Sequence, residues 1–146
     1  LKILLVFVSL FSVTACAEYE VASADEQCMV ENVYHEARGE SKAGQLAVMH
    51  VVMNRVRSVD YPNTICKVVW QNRQFSWTQD GKSDIMKNHV LRWRTKLLVL
   101  DFFDKWKDFD NSYGATMYHA SRITPFWADS YDKTIQIDNH IFYKKR

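Results

Sequence analysis

Residues 34–40 read Tyr-His-Glu-Ala-Arg-Gly-Glu, a segment that sets His35, Glu36, Arg38 and Glu40 close together. Three chemistries could use such a cluster. Metal binding is the first, because His35-Glu36 opens like an H-E-x-x-H zinc helix, which needs a second His one turn on. Gly39 stands at that place, so His35 has no partner there and no metal ligand set is expected. Nucleophilic hydrolysis is the second. The chain has no G-x-S-x-G elbow, although a triad can assemble without sequence adjacency. The third is acid catalysis by a carboxyl group. An ordinary Glu, with a pKa of about 4.3, is only about 0.2% protonated at neutral pH. Burial beside aromatic neighbours raises that pKa, and a value near 6 makes roughly 10% available as acid, enough to protonate a glycosidic oxygen. The competing use is an ion pair from Glu36 or Glu40 to Arg38 or Arg55. The local residues leave both open.

These side chains need a helix to hold them. Met29, Val33 and Ala37 recur at helical spacing from Gln27 on, which puts Glu36 in the last turn with Asn32 and Glu40 about one turn away. Gly39 is the expected stop and Ser41 the cap of a second helix over 42–57. That helix is apolar on two faces and therefore central to the core. His50, Asn54 and Arg55 on it need polar niches, and Asn54 or Arg55 could support a site. Pro62-Asn63 marks a turn, followed by a short helix from Cys66 to Trp70. Asp80-Gly81 marks another turn. A long helix is expected from 84 to about 106, capped by Ser83 or Asp84. On it Val90, Trp93, Leu97 and Leu100 share one face, and Arg92, Arg94 and Lys96 sit largely on the other. The last third changes period: 115–120 is a strand candidate, and 134–137 and 140–145 flank Asp138-Asn139 as a hairpin. The fold class is α+β, mainly helical, with a small antiparallel sheet near the C-terminus.

With 146 residues, 47% hydrophobic and 25% charged, the chain suffices for one domain. A net charge of +2 without a long basic run does not point to nucleic acid. The N-terminus points to export. One Lys precedes an apolar run from Ile3 to Val13 and a small-residue patch, the pattern of a signal peptide and too short for a bilayer span. Ala15-Cys16-Ala17 offers cleavage before Glu18. Val13-Thr14-Ala15-Cys16 equally fits a lipobox, with Cys16 as a lipid anchor. The expected layout is a signal over 1–17, a tether over 18–26, and a domain over 27–146 in the periplasm or cell envelope. Cys28 and Cys66 then remain as an even pair in an oxidising compartment, where a bridge is worth about 4 kcal/mol by loop-closure entropy.

In order along the chain, YHEARGES, GQLAV, VVMNRV, YPNTICKVVWQ, QFSW, GATMYHA, TPFWADS and NHIFY resemble the blocks of the SleB-type cell-wall hydrolases, the spore-cortex-lytic family. The resemblance runs from about Cys28 to Tyr143. It implies a peptidoglycan glycosidase of lysozyme-like or resuscitation-factor-like fold, acting between N-acetylmuramic acid and N-acetylglucosamine without a cofactor. It implies that Glu36 is the catalytic residue, that Gln74, Phe75, Ser76 and Trp77 form one wall of a glycan cleft, and that Tyr118, His119 and Trp127 form the other. Relatives often carry Cys where this chain has Arg73 and Gln79, and His where it has Met117.

One acid suffices for a lytic transglycosylase. Glu36 protonates the leaving O4, then takes the proton of the muramic C6 hydroxyl as it attacks C1. A hydrolytic muramidase would use water and a second acid such as Asp80 or Glu40. A peptidoglycan-binding lipoprotein that kept the fold and lost catalysis is the non-enzymatic alternative; an amidase would need zinc ligands not evident in the sequence. Oligomeric state leaves no sequence signal.

Overall fold

The computed structural model describes the backbone of residues 14–146 and side chains from Ala24 onward, so the apolar run read as a signal lies outside the described residues. Helix α1 spans Thr14–Ala37, α2 Lys42–Arg57, α3 Ile65–Val69 and α4 His89–Asp101. A π-helical turn, Phe102–Trp106, extends α4. Strands β1 (Met117–Ala120), β2 (Tyr131–Ile137) and β3 (His140–Lys145) form an antiparallel sheet in the order β1-β3-β2. The fold is α+β with the sheet at the C-terminal end.

Two apolar clusters account for the packing. The larger joins Met29, Val33, Met49, Val52, Val68, Val69, Val99 and Phe102, so α1 to α4 share one core. The smaller sets Ala37, Ala47, Val48 and Val51 against Ala115 and Phe142, which seats the sheet on α1 and α2. Helix α2 therefore contributes to both clusters, as its two apolar faces require. Of its polar residues, Asn54 and Arg55 are held by hydrogen bonds, while the fully buried His50 makes none among the described residues. Asn54 donates to the Ala115 carbonyl and the Asp110 carboxylate, both at 3.0 Å, and Arg55 Nε donates to the Thr116 carbonyl at 2.7 Å. His50 packs against Phe102.

Several boundaries differ from expectation. Residues 18–26, read as a tether, lie within α1, and Asp25 accepts from the Cys66 N–H at 3.0 Å, tying α1 to α3. Cys28 and Cys66 are joined by a disulfide. Gly39 follows α1 without a left-handed backbone; the helix ends because the chain turns at once into α2, whose cap Ser41 accepts from the Gly44 N–H. The long helix begins at His89, not 84. Asn88 is its cap, accepting from the Leu91 N–H, because the preceding backbone is bound to α1 instead. The Asn88 N–H donates to the Tyr34 hydroxyl at 3.0 Å, and the Asp84 carbonyl lies 3.1 Å from His35 Nε2. Those anchors set the rotation of α4. Thr95 and Val99 turn inward, with Leu91 and Leu98 beside them, while the Val90, Trp93, Leu97 and Leu100 stripe faces outward.

Candidate active site

Glu36 sits in the last turn of α1, where the helix passes from the apolar core into a cavity of about 590 Å³. Burial raises its pKa above the ordinary Glu value, and this desolvation outweighs two opposing influences, the Tyr118 hydrogen bond and the charge of Arg55. The Tyr118 hydroxyl donates to Glu36 Oε2 at 3.0 Å. Burial first, and Glu36 second, hold the Tyr118 phenol well above its usual pKa, so it stays a donor. Arg55 lies beneath the site, its guanidinium over the rings of Phe75 and Tyr61 at 5.2 and 5.4 Å. None of the ion pairs among the described residues includes Glu36. The helix-end salt bridge that the sequence left open is not formed.

The other charges of the YHEARGE segment are occupied. Arg38 folds back on α1, donating to the Tyr34 carbonyl at 2.9 Å and lying over the Tyr34 ring. Glu40 accepts from the Asn139 backbone N–H at 3.1 Å and from its side chain at 3.2 Å. His35 stacks on Trp77 with ring centroids 4.5 Å apart. Among the described residues no group of three or more His, Cys, Asp or Glu side chains is placed to hold a metal.

The structure brings most of the expected cleft residues to one place. Gln74, Phe75 and Ser76 line the large cavity from one side. Tyr118, His119 and Trp127 line it from the sheet side. Trp77 does not. It lies buried below, its indole N–H donating to Asn32 Oδ1 at 3.3 Å, and lines an adjoining depression of about 340 Å³. Glu36 and Ser76 belong to both hollows, so the cleft runs past Glu36 on two sides. Asp80 lies in the smaller hollow, its carboxylate accepting from the Lys82 N–H at 2.9 Å. His119 is nearly buried. Its Nδ1 lies 2.9 Å from the Ala120 carbonyl and its Nε2 3.0 Å from the Tyr143 hydroxyl, which fixes the ring between strand and cavity.

Other residues at the cavity were not singled out by sequence. Arg122, Ile123 and Pro125 contribute from the loop after β1, and Asn139 and His140 from the hairpin. His140 is buried against Tyr118, and burial lowers its pKa. The NHIFY block was the available signal for the last two and the TPFWADS block for Pro125; Arg122 and Ile123 lie outside every block. In the loop that precedes the Asp80-Gly81 turn, Gln79 donates to Asn72 at 2.7 Å, with Arg73 in a left-handed backbone conformation. Met117 places its sulfur 3.7 Å from an Arg55 guanidinium nitrogen.

Comparison with known proteins adds a common theme. The Cell Wall Hydrolase family model matches residues 39–143, beginning just after Glu36. The chain is 33% identical over 120 residues to a spore cortex-lytic enzyme of Bacillus cereus, covering 82% of this chain and 44% of that protein. It is 35% identical over 121 residues to one of Oceanobacillus iheyensis, covering 82% and 41%. The crystal structure of the catalytic domain of the Bacillus cereus SleB protein superposes with a TM-score of 0.68 at 34% identity, over 84% of this chain and 91% of that one. The catalytic domain of the germination-specific lytic transglycosylase SleB of Bacillus anthracis also gives 0.68, at 35% identity over 82% and 93%. The chain spans less than half the length of these curated relatives, but nearly all of the crystallised catalytic domains.

Proposed function

The chain belongs to the Cell Wall Hydrolase family, and from that premise we propose that it is a peptidoglycan lytic transglycosylase acting outside the cytoplasm, with Glu36 as acid and then base. The observation that carries this is a desolvated carboxyl, free of ion pairs, where the two hollows of the cleft meet. A glycan strand lying through both hollows brings its scissile bond to Glu36. Because Oε2 holds the Tyr118 hydroxyl, Oε1 carries the proton that is delivered to O4 of the leaving sugar. The C1–O4 bond breaks through an oxocarbenium-like state at muramic C1. The C6 hydroxyl then attacks C1 and returns its proton to Glu36, giving a 1,6-anhydro end. No group outside enzyme and substrate is consumed.

One acid fits the geometry better than two. Glu40 spends both oxygens on Asn139, and Asp80 is turned to the Lys82 backbone in the smaller hollow. Tyr118 is thus the positioning residue for Glu36. Gln74, Phe75, Ser76, His119 and Trp127 shape the larger subsite, and Trp77 supports the smaller one. The reading includes processing ahead of Glu18 or at Cys16 and a catalytic domain over 27–146.

The test is mass analysis of muropeptides released from purified peptidoglycan. Anhydro-muramic ends are expected; reducing muramic ends would make the enzyme a hydrolytic muramidase. Binding to the wall without release would reduce it to a non-catalytic binding protein. Glu36→Gln should cut release by about 10²–10⁴-fold, the usual worth of a general acid.

A further inference from the structure

We propose that α4 docks the domain on an anionic phospholipid bilayer, through its outward apolar stripe Val90, Trp93, Leu97 and Leu100 and the basic residues that border it. The four are 61, 59, 47 and 41% exposed, although α4 already has a separate buried face built on Thr95 and Val99. Their spacing of three, four and three residues keeps them in one line along the helix. No Asp or Glu occurs between Ile85 and Leu100, whereas Lys87, Arg92, Arg94 and Lys96 do. Among the described residues, none of those four cations makes an ion pair.

A helix with a Trp- and Leu-bearing stripe edged by uncompensated Lys and Arg is suited to the headgroup boundary. There the apolar side chains leave water and the cations meet lipid phosphate. Shape favours the same occupant. Arg92, Trp93 and Lys96 also line a hollow of about 270 Å³ against Gln27 and Val30 of α1, so stripe and cations make an uneven surface that a deformable lipid layer follows and a rigid partner would have to match. Charge argues against a second copy, because two basic-edged stripes set face to face would repel. None of the four stripe residues lines the cleft at Glu36, so the proposed docking surface and the site share no residue.

The experiment uses the full chain with vesicles whose acyl chains carry bromine, a contact quencher of Trp fluorescence. The contribution of Trp93 is obtained as wild type minus Trp93→Phe, which separates α4 from any insertion of the N-terminal run. The expected result is quenching of Trp93 in phosphatidylglycerol-containing vesicles. That quenching should be lost in pure phosphatidylcholine and in an Arg92→Glu, Arg94→Glu, Lys96→Glu variant. Should that variant not fold, added salt on the wild type tests the same charges. Vesicle binding with no Trp93 quenching would overturn the proposal, as would quenching indifferent to lipid charge and salt. Concentration-dependent association in the absence of lipid, abolished by Leu97→Glu, would overturn it in favour of a second copy.

Discussion

Glu36 combines an incentive to stay protonated with two groups that stabilise its anion, which is what a residue alternating between acid and base requires. Because its folded pKa is raised, its charged form is destabilising. Glu36→Gln should therefore be more stable than wild type at neutral pH as well as less active. The advantage should shrink as pH falls through the raised pKa and vanish below about 4.3, where an unfolded Glu is also protonated. Thermal melts of both proteins across pH check this, and an unchanged difference at low pH would refute the assignment. Tyr118→Phe removes a hydrogen bond that favours the carboxylate, so the Glu36 pKa should rise further. The alkaline limb of the activity profile should move to higher pH, with a reduced maximum because the carboxyl is no longer oriented.

At the scale of elements, the site depends on how closely the β2–β3 turn approaches the α1–α2 corner. Asp138 accepts from the Ser41 N–H at 2.8 Å, and Asn139 donates twice to Glu40. Gly44 makes that approach feasible, since a Cβ there would lie 2.6 Å from Asp138 Oδ2. Gly44→Ala should push the turn away and cost about 1–3 kcal/mol, the usual penalty of overpacking. Denaturant midpoints measure the loss. Activity per folded molecule should fall too, because Asn139 and His140 line the cavity. The sequence made the hairpin evident through Asp138-Asn139 but offered no sign of this contact, which joins residues almost a hundred positions apart.

For the molecule as a whole, the Cys28–Cys66 bridge links α1, which carries Glu36, to α3. It closes a separation of 38 residues, which corresponds to about 4 kcal/mol on loop-closure grounds. Cys28→Ala with Cys66→Ala should lower stability by roughly 2–5 kcal/mol. The reduced wild type should unfold alongside the variant. Glu36 lies two turns beyond Cys28 on a helix packed against α2 and α4, so turnover at low temperature should persist while the thermal range narrows.

The sequence by itself determined that the core helices and the hairpin exist, because their period is written in adjacent residues, but not that 18–26 belong to α1 or that α4 starts at His89. It also marked Glu36 as the candidate acid, through the blocks downstream. It could not decide between an acid and a salt bridge, since that choice turns on Tyr118 and Arg55, distant in sequence, and on how much water the fold removes. Nor could it decide which way α4 faces. That helix carries apolar residues on two sides, and only the anchors at Tyr34 and His35 selected the side turned inward. Local pattern is a property of neighbours along the chain; desolvation and rotation belong to packing, and only the tertiary structure decided them.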